Sequence, residues 1–360
     1  MSRASRKQAR PAPAGAGAPA GLPGVRGGGT RGLIEARAGG FAALLLLFLA
    51  LQGIIFITES SQTSDEAAHL SAGYSYLVAG DYRLNPEHPP LIKMLAALPL
   101  LPLHLDFPWG PLWEQAEEWN IGRLFVHENR VPNDTLLLLA RLPVLALSLV
   151  LGWAIYRFAR RLFGAPGGLL ALAIWVLDPN VVAHSGLVTT DLGIALFIFL
   201  SVVALWAWIE SPSPRRLILF GLAVGGAFAS KYTAVWLPPI LGAVALALVA
   251  VNDPTPARLF AGGRRDRERR PARGARDTAS ADRAAAPAAS RLRRLLVLTA
   301  AGLVAAAVAA VVLLLSYRVV QIGWWFTGLD RTLHHSATGH RAYLAGQVSE
   351  TGWWYYFLLA

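Results

Sequence analysis

The sequence predicts an all-α protein that crosses a membrane several times. Its 360 residues are 54% hydrophobic, with a mean hydropathy of +0.44. Several uncharged apolar runs are long enough for a membrane helix, and most titratable residues lie between them. This pattern excludes an ordinary soluble domain. The chain has no cysteine, which excludes disulfides and thiolate metal sites.

The apolar runs predict seven spans. Two of the runs are too long for one helix and contain polar interruptions, at 178–191 and at Ser230-Lys231-Tyr232, so each is interpreted as a hairpin. A further run begins at Trp353 and stops at Ala360, and we therefore expect an eighth span in which the chain is truncated. The runs are 41–57, 136–158, 162–209 (two spans), 217–251 (two spans) and 295–317.

Polar segments divide the chain into regions. Residues 1–40 and 252–294 are rich in Arg, Ala, Pro and Gly and are predicted to be disordered. Residues 41–251 form the predicted transmembrane core, with an outer loop at 58–135 that contains interfacial helices. The remainder, 295–360, holds the seventh span, another outer loop and the start of the eighth span.

The distribution of charge predicts the orientation. If the N-terminus, 157–161, 210–216 and 252–294 are cytoplasmic, that side holds 24 of the 33 Lys and Arg but only 7 of the 22 acids. All eight histidines lie on the other side. The positive-inside rule therefore favours a cytoplasmic N-terminus and extracytoplasmic acidic motifs. The net charge of +11 is then an orientation signal and does not indicate nucleic acid binding.

The candidate chemistry is concentrated in 63–93, directly after the first span. Asp65 and Glu66 precede His69 by one helical turn, so these groups share one side of a predicted interfacial helix. The prolines of Asn85-Pro86-Glu87-His88-Pro89-Pro90 then exclude a continued helix and place His88 in a turn. Ionisable groups beside a bilayer are costly and usually functional.

Four motifs together resemble the phospholipid-carrier-dependent glycosyltransferases of the GT-C group, which includes protein O-mannosyltransferases and aminoarabinose transferases. They are Asp65-Glu66, GDYRLNPEHPPLIK at 80–93, LDPNVVAHSGLVTTD at 177–191 and GHRAYLAGQVSETGWWYYF at 339–357. The resemblance implies a GT-C-like bundle of about seven to eight helices. It also implies a polyprenyl-phosphate sugar donor and an acceptor on a lipid, glycan or protein.

The resemblance implies a catalytic role for two carboxylates. Asp65 is the expected base or acceptor-orienting group, with Glu66 in support, because such a transfer needs a carboxylate near the acceptor proton. Capping of the helix by Asp65 is the alternative, and the two roles are compatible.

Cationic and polar groups are the expected contacts of the donor phosphate and the substrate. His88, Lys93 and Arg83 are candidates for the phosphate, although Lys93 also fits an interfacial anchor and Arg83 fits an ion pair with Asp81 better. The expected lining of the substrate cavity is His69, Asp191, His184, Lys231, His340 and Tyr343. No spacing specifies a metal; a divalent cation between the outer loops remains open.

The arginine- and alanine-rich composition indicates a bacterial plasma membrane and a role in the cell envelope. A multi-pass transporter or a non-catalytic membrane binding protein is the alternative function. A transporter would place charges at mid-membrane depth and show internal repeats, whereas these charges lie in predicted outer loops and no repeat is visible.

Overall fold

The computed structural model of the chain describes residues 28–250, 287–338 and 342–356. This part is almost entirely helical, with one short antiparallel hairpin of β1 (Ala342–Leu344) and β2 (Gln347–Ser349). Two 3₁₀ segments, Leu98–Leu103 and Tyr232–Trp236, follow α3 and precede α10. The helices are α1 (Gly28–Glu59), α2 (Ser64–Val78), α3 (Pro90–Ala97), α4 (Pro111–Glu114), α5 (Glu118–His127), α6 (Asn133–Leu177), α7 (Pro179–Ser185), α8 (Asp191–Glu210), α9 (Pro214–Phe228), α10 (Leu237–Ala250), α11 (Pro287–Ser316) and α12 (Gly323–Thr338).

Four of the described helices contain segments long and apolar enough to cross a membrane, which confirms the predicted all-α polytopic class. These segments are Glu35–Glu59, Asn133–Leu177, Asp191–Glu210 and Leu295–Ser316. The helix α6 has two apolar arms, because Gly164 adopts φ 75° and ψ −177° and breaks it. Since α9 and α10 are shorter, the count of seven spans stays a prediction.

Small residues bring the apolar helices together. A Cβ on Gly221 would touch Ala305 and Val308, and one on Gly225 would touch Ala309, so α9 and α11 pack backbone to backbone. Close approach of small residues is the usual source of helix association where the surroundings are as apolar as the helices.

The beginning of α1 corrects one sequence expectation. Residues 1–40 were expected to be disordered, but the helix begins at Gly28, and residues 1–27 lie outside the described part. Glu35 explains the extension, since its carboxylate accepts the N–H of Ala165 at 3.0 Å and pairs with Arg160. These contacts tie the start of α1 to the break in α6. The predicted disorder of 252–294 falls mostly on residues that are not described.

The helices between the first span and α6 form a layer at the other end of the bundle. The helix α2 packs against α3 at Gly73, where any Cβ would overlap the carbonyl group of Lys93. It packs against α5 at Gly122, whose Cβ would lie 2.7 Å from the backbone of Ala67. Phe125 and Leu70 are fully buried in this layer. The interfacial helices predicted in 58–135 therefore form one packed unit.

The contact at Gly73 gives a test of this layer. Gly73→Ala should lower the free energy of unfolding by ~1–3 kcal/mol, because the added methyl group forces α2 away from α3. Thermal unfolding in detergent measures the loss. Gly40→Ala is the matched control, since nothing lies within 4 Å of a Cβ there and the change favours the helix. Equal stability of the two variants would contradict the packing.

Candidate active site

A buried ion pair between α2 and α6 forms the floor of the site. The side chains of Glu66 and Arg141 are fully buried, and Arg141 donates to the Glu66 carboxylate from Nε at 2.8 Å and from Nη2 at 2.7 Å. The remaining donors of Arg141 bind the carbonyl oxygens of Ile57, Ser60 and Ser61 at 2.9 to 3.1 Å. The guanidinium therefore fastens the end of α1 to the start of α2.

Glu66 also fixes two backbone segments. Its carboxylate accepts the N–H of Thr63, the residue that caps α2, at 2.9 Å and the N–H of Val188 at 2.9 Å. Burial alone would raise the pKa of Glu66, but the Arg141 guanidinium and these two N–H donors outweigh burial and lower the pKa. The capping alternative for Asp65 is corrected, because Thr63 and Glu66 form the cap.

His69 lies one turn further along α2 and is 3% exposed. Its Nδ1 is 2.8 Å from the carbonyl oxygen of Val188, which can only accept, so Nδ1 bears the proton and Nε2 the lone pair of the neutral ring. Burial and the Lys93 charge lower the pKa of His69 to about 4, against the opposing charges of Asp65 and Asp191.

His88 is brought against His69 by the proline-bounded turn. The two ring centroids are 4.8 Å apart, in an edge-to-face arrangement. Burial, His69, Lys93 and Lys231 lower the pKa of His88 to about 3, so the imidazole is neutral near pH 7. Its Nδ1 is buried and has no hydrogen-bond partner within the described part of the chain. A polar atom left in this state is a candidate ligand contact.

The second wall of the site comes from α8 and from the segment after α9. Lys231 Nζ donates to Asp191 Oδ1 at 2.6 Å, and both side chains are partly exposed, at 29% and 45%. His184, on α7, lies close enough to Asp191 for its charge to interact with that carboxylate. This ion pair of Lys231 and Asp191 connects the predicted hairpin tip at 178–191 with the polar interruption at 230–232.

Asp65 completes the cluster from the first turn of α2. Its side chain is exposed, unlike that of its neighbour Glu66. The charges of Asp65 and Asp191 both act on His69. These two carboxylates are 126 residues apart in sequence, and both lie near enough to His69 for their charges to act on it. That they line one substrate site stays a prediction.

Two candidates for the donor phosphate are held elsewhere. Lys93, expected at the membrane surface, is 1% exposed and donates to Tyr76, to the carbonyl oxygen of Asn85 at 2.7 Å and to its Oδ1 at 3.3 Å. The packing of α3 on α2 explains this burial. Arg83 forms the ion pair with Asp81 that the sequence favoured, at 2.7 Å, and its guanidinium lies over Trp113.

Of the two residues predicted to line the site from the late outer loop, the structure describes Tyr343. His340 lies outside the described residues. Tyr343 is in β1 and is 65% exposed. The helix α12 contacts the site region, because Tyr232 Oη donates both to the Trp325 carbonyl oxygen on α12 and to the Pro86 carbonyl oxygen in the turn.

Among the described residues, no group of three or more His, Asp or Glu side chains is arranged to hold a metal ion. An apolar cavity of about 230 Å³ lies among α8, α9, α10 and α11, but its walls include none of the titratable residues above.

Two residues of the site were missed in the sequence. Arg141 lies inside the predicted span 136–158, whose other cation, Arg157, is at its end, and a charge within an apolar run was the signal that could have found Arg141. Glu118, at the start of α5, accepts the Asn85 N–H at 2.6 Å and the Asn85 amide group at 3.2 Å. No local pattern marks Glu118, since its partner is 33 residues away.

Comparisons with known proteins point to the same chemistry. Residues 134–256, about a third of the chain, match the family of dolichyl-phosphate-mannose-protein mannosyltransferases. A segment of 104 residues is 38% identical to an undecaprenyl phosphate-alpha-4-amino-4-deoxy-L-arabinose arabinosyl transferase of Pseudomonas aeruginosa (strain UCBPP-PA14). These matches support a GT-C glycosyltransferase.

The matches are partial. The aligned segment spans 28% of this chain and 18% of the length of the arabinosyl transferase. No solved structure matches the chain significantly. The family match includes Arg141, Asp191 and Lys231, whereas Asp65, His69 and His88 precede it. Three residues of the cluster thus lie outside the segment that matches the family.

The buried ion pair generates a stability prediction. Arg141→Met should lower the free energy of unfolding by ~3–5 kcal/mol, because it leaves the Glu66 carboxylate buried without its cation. Chemical denaturation in detergent measures the change. Arg123→Met is the control, since it removes an exposed pair with Glu128 and should have little effect. Similar losses in both variants would contradict a special role for Arg141.

The two imidazoles generate a pH prediction. Because His69 and His88 have folded-state pKa values of about 4 and about 3, below the ordinary 6.5, the unfolded chain takes up protons first as the pH falls. Stability should therefore decrease as the pH falls from 6.5 towards 4, each imidazole contributing a slope of up to ~1.4 kcal/mol per pH unit. Thermal unfolding at several pH values shows whether the double variant His69→Gln and His88→Gln reduces this slope. An unchanged slope would contradict neutral burial.

Proposed function

We propose that this chain transfers a sugar from a polyprenyl-phosphate carrier to an acceptor on the extracytoplasmic side of a bacterial plasma membrane. The main support is the convergence of Asp65, Asp191, Lys231 and His88 around His69, from four separate segments of the sequence. Such a cluster offers an exposed carboxylate next to cationic and neutral donors. These are the groups needed to remove an acceptor proton and to stabilise a leaving phosphate.

Asp65 is the proposed base. The acceptor oxygen attacks the anomeric carbon of the sugar, the bond from that carbon to the phosphate oxygen breaks, and the acceptor proton passes to the Asp65 carboxylate. The exposed side chain of Asp65 leaves room for an acceptor. Glu66 has another role, since its carboxylate is buried and already accepts from Arg141, Thr63 and Val188. We assign Glu66 to positioning.

Lys231 and His88 are the proposed contacts of the donor phosphate. The Lys231 ammonium is partly exposed and pairs with Asp191, and its charge lowers the pKa of His88. A cation paired with one carboxylate at an open site retains donors for a phosphate oxygen. The Nδ1 of His88, which has no hydrogen-bond partner among the described residues, adds a neutral donor in the tautomer that carries the proton there. Asp191 orients Lys231, and His69 and His184 form the inner wall.

The names of the similar proteins define the donors to try. The family is named for dolichyl-phosphate mannose and the relative for an undecaprenyl-phosphate aminoarabinose, so hexosyl and pentosyl transfer both stay in the proposal. The acceptor is a lipid, a glycan or a protein. The orientation, with the N-terminus in the cytoplasm, is supported by the distribution of Lys and Arg.

The role of Asp65 has a direct test. The purified chain, supplied with undecaprenyl-phosphate aminoarabinose or polyprenyl-phosphate mannose and candidate acceptors, should release free polyprenyl phosphate. Asp65→Asn should slow this release by ~10²–10⁴-fold, because the amide cannot accept the acceptor proton. Mass spectrometry of the extracted lipids measures release. Asp106→Asn, an exposed change at the Arg130 ion pair, is the control and should retain full turnover. Equal release by Asp65→Asn and the wild type would overturn the assignment.

A further inference from the structure

Three successive carbonyl groups of the turn that presents His88 are each held by a different element. The carbonyl oxygen of Asn85 accepts from Lys93 Nζ at 2.7 Å, and that of Pro86 accepts from Tyr232 Oη at 3.0 Å. The carbonyl oxygen of Glu87 accepts from Thr332 Oγ1 at 3.4 Å. Helices α3 and α12 and the segment after α9 thus fix one short stretch of backbone.

Asn85 has the unusual backbone conformation in this turn. Its φ of 47° lies in the left-handed region, which Asn tolerates better than most residues but still at a cost. The residue is 4% exposed. Its N–H and side-chain amide face the Glu118 carboxylate, whereas its carbonyl oxygen and Oδ1 face the Lys93 ammonium. The Glu118 carboxylate therefore accepts the hydrogen bonds that Asn85 donates, and the Lys93 ammonium donates the hydrogen bonds that Asn85 accepts.

The two charges depend on each other across Asn85. Burial lowers the pKa of Lys93 well below its ordinary value, and the charge of Glu118 is the largest influence that opposes the decrease. Tyr76 receives a further hydrogen bond from Lys93 at 2.8 Å, so the ammonium is enclosed by protein groups. An ammonium with three acceptors and 1% exposure has no free face for a phosphate.

We propose that Glu118, with Asn85 and Lys93, is a positioning residue that acts on the donor phosphate through His88. Glu118 and Lys93 hold Asn85 in its left-handed conformation, and this conformation directs the following Pro86-Glu87-His88 segment towards His69. Lys93 thereby stabilises the backbone of the turn and does not itself bind the phosphate. This inference rests on the proposed function only for the identity of the ligand.

A binding experiment separates positioning through His88 from general stabilisation. The probe is undecaprenyl phosphate, with undecaprenol as the ligand that lacks the phosphate. Glu118→Gln should weaken binding of undecaprenyl phosphate roughly ten-fold relative to the wild type, because a charged hydrogen bond to Asn85 is lost. In the His88→Ala background the same change should have no further effect. Glu117→Gln, an exposed neighbour on the same loop, is the control and should bind as the wild type does.

A second readout needs no lipid. Carbethoxylation of His88, mapped by mass spectrometry against the exposed His104, reports how firmly the turn is held. Glu118→Gln should increase the rate at His88 several-fold relative to His104, and Glu117→Gln should leave the ratio unchanged. Thermal unfolding of each variant shows that it is folded.

The outcomes distinguish the two proposals. If the wild type binds undecaprenyl phosphate no better than undecaprenol while His88 reactivity still responds to Glu118→Gln, the positioning role stands and the proposed function fails. If Glu118→Gln leaves His88 reactivity unchanged, or weakens binding equally in the presence and absence of His88, the positioning role is overturned.

Discussion

The arrangement of the site depends on the buried ion pair of Glu66 and Arg141. A carboxylate and a guanidinium without solvent contact persist only when nearly every donor and acceptor is satisfied. Here the ends of α1 and α6, the cap of α2 and the loop before α8 provide the partners. The pair thereby brings together segments that are distant in the sequence, and it does so directly beneath Asp65 and His69.

Val188 shows how this floor is linked to the chemistry above it. Its N–H binds Glu66 and its carbonyl oxygen binds His69, so one peptide segment fixes both a structural carboxylate and the tautomer of an imidazole. The neutral state of His69 and His88 follows from burial in this setting. Because both imidazoles are neutral, Lys231 is the partly exposed cation beside them, and Asp191 balances its charge. The site therefore carries no excess of positive charge before a phosphate binds.

Some of this was predictable from the sequence, and the reasons are local. The apolar runs predict the helices and the all-α membrane class, because burial of long hydrophobic segments dominates the energetics of these segments. The prolines of 86–90 predict a turn because they exclude a helix. The GT-C resemblance follows from compact motifs. The partners of Glu66, Asn85 and Lys93 were not predictable, since Arg141 and Glu118 lie 75 and 33 residues from the groups they bind. Burial of Lys93 depends on helix packing at Gly73, which no local pattern encodes.

The proposed function requires that Asp65 and Asp191 face one site on the same side of the membrane. Because the chain has no cysteine, spin labels can be introduced uniquely by Asp65→Cys and Asp191→Cys, and the distance between them measured by pulsed electron paramagnetic resonance in nanodiscs. We expect a single narrow distribution well below the ~30 Å thickness of the hydrocarbon core. A distribution centred at or beyond that thickness would place the two carboxylates on opposite leaflets and contradict the account.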